Sequence, residues 1–182
     1  MTVLTVAAVV ALSGCSAAIP AATDTTASAS AEAPADFRGN GYSYNVPEGW
    51  GDTGQDLTGT GIDTYAADLA DQADGFADNI NVLLSPNGLI PADTLEEAAV
   101  AELEAVDGAE NITVESPADF GGYEALHISA QFTQSGVTYL IDQFYPASDT
   151  QTYVVTFSFS PDASDDHRAE VIDAVASSWV WK

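Results

Sequence analysis

The sequence predicts an α+β domain in which two helices pack on a mainly antiparallel sheet of about six to seven strands. Three observations carry this. Apolar and polar residues alternate over seven short stretches, the two-residue period of a strand with one buried face. Two longer stretches switch to a helical period. Gly121-Gly122 and Ser135-Gly136 fall between alternating runs, where tight turns join antiparallel neighbours. Helices layered on such a sheet make an α+β architecture.

In chain order, Tyr42 to Val46 alternates cleanly, and Pro47-Glu48-Gly49-Trp50 breaks the pattern. Ile62 to Ala67 is a weaker strand, and Asn79 to Leu84 places Ile80, Val82 and Leu84 on one face. Thr94-Leu95-Glu96-Glu97 reads as a capping box that opens a helix. Leu95, Ala98, Ala99, Leu103 and Val106 form its apolar stripe, and Gly108 ends it. Ile112 and Val114 mark a short strand stopped by Pro117. Tyr123 to Thr133 puts Leu126, Ile128, Ala130 and Phe132 on one face, and Val137 to Tyr145 follows. Thr152 to Phe159 places Tyr153, Val155, Phe157 and Phe159 together. A second helix runs from about Ala163 to Ser178, with acids at its start and Val171, Ile172, Val175 and Trp179 on its buried side. The expected order is βββ-α-ββββ-α.

The Ser135-Gly136 turn also predicts a register. With a two-residue loop, Gln134 pairs with Val137, Phe132 faces Tyr139, Ala130 faces Ile141, and Ser129 faces Asp142. A slip by one residue would exchange the two faces of the hairpin.

The run "YSYNVPEGW" (Tyr42 to Trp50), a helix beginning "TLEEAA", "GYEAL" (Gly122 to Leu126) and a last helix ending near a Trp together resemble the PsbP-like fold. Within it they are most similar to actinobacterial lipoproteins of the LpqN type. The resemblance spans about Tyr42 to Trp179 and rests on structural motifs. It implies a non-enzymatic accessory or partner-binding domain.

Residues 1–14 carry no charge, and their apolar run from Val3 to Leu12 is shorter than the ~20 residues of a membrane span. It suits a signal peptide. Leu12-Ser13-Gly14-Cys15 resembles the bacterial lipobox, which implies a diacylglyceryl group on the Cys15 sulfur and cleavage before Cys15. No Lys or Arg precedes the run, as a secretory leader requires, so the expected start lies upstream of Met1. Residues 15–36 are then the lipidated cysteine and a tether of Ala, Thr, Ser and Pro, too poor in apolar residues to fold. Residues 37–182 form one domain of 146 residues, enough to bury about two-thirds of its unfolded surface.

The whole chain carries 28 acids against three Lys or Arg, a net charge of −25. Nucleic acid is therefore not an expected partner, since phosphate binding needs clustered cations. One cysteine excludes an internal disulfide and a Cys-based zinc cage. Asp68, Asp71, Asp74 and Asp78 miss the spacing of a calcium loop, so a solvated acidic loop is the reading and an irregular calcium site the alternative. No cofactor and no metal site is expected, and no catalytic residue is assigned. Ser129, His127 and Asp142 could be written as a triad, but Ser129 lacks the sharp turn that exposes a nucleophile.

The expectation is a lipid-anchored, extracytoplasmic domain at the cell envelope that binds a protein or small ligand. Its partners are then the membrane, through the anchor, and an envelope protein or small molecule. The alternatives are an envelope hydrolase using Asp or Glu and a purely structural surface lipoprotein. A candidate binding face is the side of the central hairpin bearing His127, Ser129, Gln131, Leu140, Asp142 and Phe144, with Phe144 as aromatic anchor. The competing reading puts this face under the helices.

Overall fold

The computed structural model describes residues 36–71 and 76–182. The leader, the Leu12 to Cys15 motif, nearly all of the tether and Asp74 of the acidic loop lie outside the described residues.

The chain forms β1 (Asp36–Arg38), β2 (Tyr42–Asn45), β3 (Trp50–Gly51), β4 (Ile62–Asp68), β5 (Asn79–Leu84), α1 (Ala92–Glu104), β6 (Ala109–Val114) and β7 (Ala118–Phe120). It continues with β8 (Tyr123–Gln134), β9 (Val137–Tyr145), β10 (Tyr153–Phe159), α2 (Asp165–Ser178) and β11 (Val180–Trp181). The seven expected strands and both helices are present. Four further strands, β1, β3, β7 and β11, are two or three residues long, too short for any alternation to show.

The main sheet runs β3-β4-β5-β10-β9-β8-β6, with β7 folded back on β8. Every pairing in it is antiparallel. A small second sheet, β1-β2-β11, joins the start of the fold to its end. Among the described residues no helix is long and apolar enough to cross a membrane.

The β8–β9 register is the expected one: Gln134 pairs with Val137, Phe132 with Tyr139, Ala130 with Ile141 and Ser129 with Asp142. Ser135 (φ 52°) and Gly136 (φ 84°) both take the left-handed conformation that a two-residue hairpin loop of this hand demands. Gly121-Gly122 closes the β7–β8 hairpin in the same way.

The start of α1 departs from expectation. Pro91, not Thr94, stands at the helix N-cap, with φ −60° and ψ 136°. The Thr94 hydroxyl donates to the Pro91 carbonyl, so it is not the capping acceptor (3.0 Å). Proline supplies a suitable φ without a side-chain cap and starts the helix three residues early. The capping box is therefore not formed. α2 is capped by Ser164, whose side chain accepts from the His167 amide.

Each face of the main sheet supports its own core. One core holds Ile80, Val82, Phe144, Val155, Phe157 and Phe159 with Val171, Val175 and Trp179 from the α2 region and Tyr42 and Tyr44 from β2. The other holds Ile128, Ala130, Phe132, Tyr139 and Ile141 with Ala99 and Leu103 of α1. Thus the apolar sides of β8 and β10, each legible in the sequence, point to opposite faces. The central strand β10 is buried at every residue.

Two glycines test this packing. A Cβ on Gly136 meets open space, whereas one on Gly108 (φ 84°) would approach the Thr133 carbonyl oxygen to 2.2 Å. Gly136→Ala should cost only the conformational penalty of ~1 kcal/mol. Gly108→Ala should cost at least twice that, since backbone must move where α1 passes into β6. Denaturant titration of both variants checks the order, and equal losses would contradict it.

Candidate functional site

The β8–β9 hairpin turns His127, Ser129, Gln131, Leu140, Asp142 and Phe144 to one face, because His127 pairs with Phe144, Ser129 with Asp142 and Gln131 with Leu140. That face lies under α2. Phe144, expected as an exposed anchor, is 1% exposed and packs against Phe120 and Phe157. Its ring is core because α2 lies over this face of the sheet and Phe120 packs on the ring from β7. Asp142 is 2% exposed, while His127, Ser129, Gln131 and Leu140 are half-buried.

His127 lies flat on Phe144, with ring centroids 4.1 Å apart. Its Nε2 is 2.8 Å from Asp142 Oδ1. From α2, Arg168 brings Nη2 to 3.6 Å from Asp142 Oδ2, an ionic contact without hydrogen-bond geometry, and Oδ2 keeps no hydrogen-bond partner. The Ser129 hydroxyl donates to Glu115 Oε1 (2.8 Å) and so does not complete a triad with His127.

A second acid–histidine contact lies nearby on the same face. Asp78, just before β5, accepts the Ser160 amide at Oδ1 (2.7 Å), and its Oδ2 lies 3.5 Å from His167 Nε2 of α2. Burial pushes the Asp78 carboxyl above the usual carboxylate range; Asp71 adds to this, while the Ser160 amide and His167 oppose it. The first turns of α2 thus present His167 and Arg168 to two buried acids, Asp78 and Asp142. Sequence reading missed His167, Arg168 and Asp78 as a group. Their only local signal is two adjacent basic side chains near the N-terminus of an acidic helix.

The acidic loop is bound into the backbone. Asp68 Oδ1 accepts the Ala70 amide, and Asp71 Oδ2 accepts the Asp78 amide. Among the described residues no group of three or more His, Cys, Asp or Glu converges as metal ligands. A depression of about 390 Å³ at the tip of the β8–β9 hairpin, lined by Val106, Asp107, Gly108, Thr133, Gln134 and Ser135, is open to solvent.

The chemistry of this arrangement is docking: a helix with few cations is held on a sheet with two buried carboxylates. Asp78 has a pH signature. Between the ordinary carboxylate pKa of ~3.9 and its own raised value, the folded protein retains a proton that the unfolded chain has released. Its contribution to stability therefore falls as pH rises through that window. Asp78→Asn retains the acceptor for Ser160 and removes the titration. The gap in Tm between variant and parent should move in the variant's favour as pH rises from ~4 towards 7. Parallel curves would show that the Asp78 proton does not matter.

No protein-family model matches the chain, and no curated protein sequence matches it. Solved structures do. LpqN of Mycobacterium tuberculosis, described as involved in cell envelope biogenesis, aligns with TM-score 0.52 and 15% identity over 82% of this chain and 86% of that one. The cyanobacterial PsbP (CyanoP) of Synechocystis aligns with TM-score 0.51 and 18% identity over 87% and 98%. PA94 of Pseudomonas aeruginosa aligns with TM-score 0.50 and 15% identity over 78% and 92%. The chain is similar to these proteins in fold: two helices on a mainly antiparallel sheet, with PsbP-like neighbours.

Proposed function

We propose that this chain is a lipid-anchored, extracytoplasmic domain of the cell envelope that binds a protein or small ligand without catalysis. The observation that carries the non-catalytic part is the commitment of the basic side chains facing Asp78 and Asp142. His167 and Arg168 face these buried acids across the α2–sheet contact, where they hold the helix down, and His127 of β8 pairs with Asp142 within the sheet. The envelope assignment rests on Leu12-Ser13-Gly14-Cys15 and on a fold shared with LpqN.

Two experiments test the two halves. One acyl chain of ~16 carbons binds a membrane reversibly, whereas two or more hold it stably. Cys15→Ala should therefore move the protein from the membrane to the soluble fraction or leave an uncleaved precursor. Intact-mass spectrometry showing an unmodified Cys15 thiol on membrane-bound protein would end the anchor hypothesis. For the site, Asp142→Ala removes the hydrogen-bond partner of His127 and a buried counter-ion of Arg168 and should destabilise the fold by about 1–3 kcal/mol. Partners captured from the native envelope below the variant's Tm should be unchanged. A folded Asp142→Ala or His127→Ala protein that loses an enzymatic rate by ~10²–10⁴-fold would instead mark these residues as catalytic.

A further inference from the structure

Lys and Arg are so few in this chain that their positions carry information. Of the three, Arg168 faces Asp142 beneath α2. The other two lie on the outer side of the small sheet. Arg38 of β1 and Val180 of β11 both pair with Ser43 of β2, which sets them in one row. Tyr42 and Tyr44, on the alternate side of β2, are core, so this row faces outward. Arg38 is exposed, and Val180 is 56% exposed. The Lys182 amide donates to the Gly41 carbonyl (3.0 Å), which continues the β11–β2 ladder. Alternation then returns Lys182, also exposed, to the side of Val180.

β11 is an edge strand, and aromatic surface borders its other side. Trp181 is half-buried, donates Nε1 to the Phe120 carbonyl (3.0 Å) and meets the ring of Tyr123 at 5.9 Å. Tyr123 is 51% exposed. One edge of the domain thus carries an exposed aliphatic side chain, two amphipathic rings and a lysine, with Arg38 two strands or about 10 Å away. Asp119 and Glu124 of the adjoining hairpin pair in register on the side away from Tyr123, and Asp119 Oδ1 accepts the Gly122 amide. Asp63, nearby on β4, accepts the Asn40 amide. The other end of the fold differs. β8 carries the chain from Tyr123 to Gln134, roughly 35 Å away. There Asp107 lines the depression at the hairpin tip and Glu110 pairs with Gln131, and no Lys or Arg is present.

We infer that the β11 edge, with Tyr123, Val180, Trp181, Lys182 and Arg38, is the face that docks on the lipid surface. The inference rests on the reading of Cys15 as a lipid anchor and names the side of the domain that meets the bilayer. Trp and Tyr rings favour the membrane–water interface. Lysine and arginine are drawn to anionic headgroups while their stems lie along apolar surface. The remainder of a chain of net charge −25 is repelled by those headgroups. The point of entry of the chain selects a bilayer over a protein partner. Cys15 precedes Asp36 by 21 residues, and Asp36 opens β1, a strand of this same sheet. Such a length spans at most about 70 Å, so an anchor at Cys15 keeps the sheet at high effective concentration beside the lipid. It does not by itself choose which face turns down, and the surface chemistry does.

The test uses the isotope-labelled full chain with Cys15, its only cysteine, coupled to a maleimide-headgroup lipid in nanodiscs of phosphatidylcholine with a minority of phosphatidylglycerol. A gadolinium chelate on the headgroups broadens amide signals close to the bilayer. Broadening should be strongest at residues 38–43, 121–123 and 180–182 and lost at residues 134–137. In the Val180→Asp, Lys182→Glu double variant this contrast should disappear, with Tm unchanged because both side chains are exposed. Equal broadening at the two ends of β8 in the parent would overturn the inference. So would broadening that favours residues 134–137, which would leave the β11 edge to a protein partner, or a double variant that keeps the parent pattern. Maleimide coupling supplies the anchor whatever befalls Cys15 in the cell. The broadening pattern therefore decides the docking face, and the intact mass of native Cys15 decides the anchor reading separately.

Discussion

Tyr42 and Trp179 stack 4.5 Å apart and within 5° of parallel, and Tyr44 stacks on the same indole at 5.4 Å. Both tyrosine hydroxyls hydrogen-bond the Thr64 hydroxyl of β4, at 2.9 and 3.1 Å. One contact thus unites β2, the end of α2 and the main sheet. Aromatic pairs of this kind contribute ~0.5–1.5 kcal/mol beyond the area they bury. Burial raises both phenols well above the usual tyrosine range, so they stay neutral donors and acceptors. Without this seam, the apolar hold on α2 would fall to its own short buried side, Val171, Val175 and Ala176.

The opposite end of α2 is held by charge. A chain of net −25 has three Lys or Arg residues, and one of them faces a buried carboxylate. Breaking a buried pair by removing one partner is costly, because it leaves a charge without a counter-ion. The two ends of the helix therefore use different physics: ring stacking at Trp179, and two acid–base contacts at His167 and Arg168. The polar pairs orient the helix over the sheet.

What could be read from the sequence follows from how local each feature is. The β8–β9 register was legible because two residues, Ser135 and Gly136, determine it, and a slip would turn Phe132 and Ile128 outward. It also placed His127 beside Asp142, one hairpin away. The contacts of Arg168 and His167 were not legible, since they depend on where a helix distant in sequence lands. Thr94 misled because Pro91 offered an earlier start. In β10 the two faces could be separated by alternation. That Thr156 and Ser158 would be flanked by Asn81, Asn79 and Gln143 depends on strand order, which alternation does not encode.

The three-stranded sheet also has a mechanical consequence. β1 and β11 flank β2 on either side and both run antiparallel to it, so the two terminal strands point the same way. Asp36 lies opposite Asn45 at one end of β2, and Trp181 lies opposite Tyr42 at the other. Ladder hydrogen bonds stand perpendicular to the strands. Tension applied between the two ends of the domain therefore acts along the strands, as shear, and loads the bonds of each ladder together instead of peeling them one at a time. A domain held by its N-terminal side and pulled from its C-terminal side would resist as a lap joint.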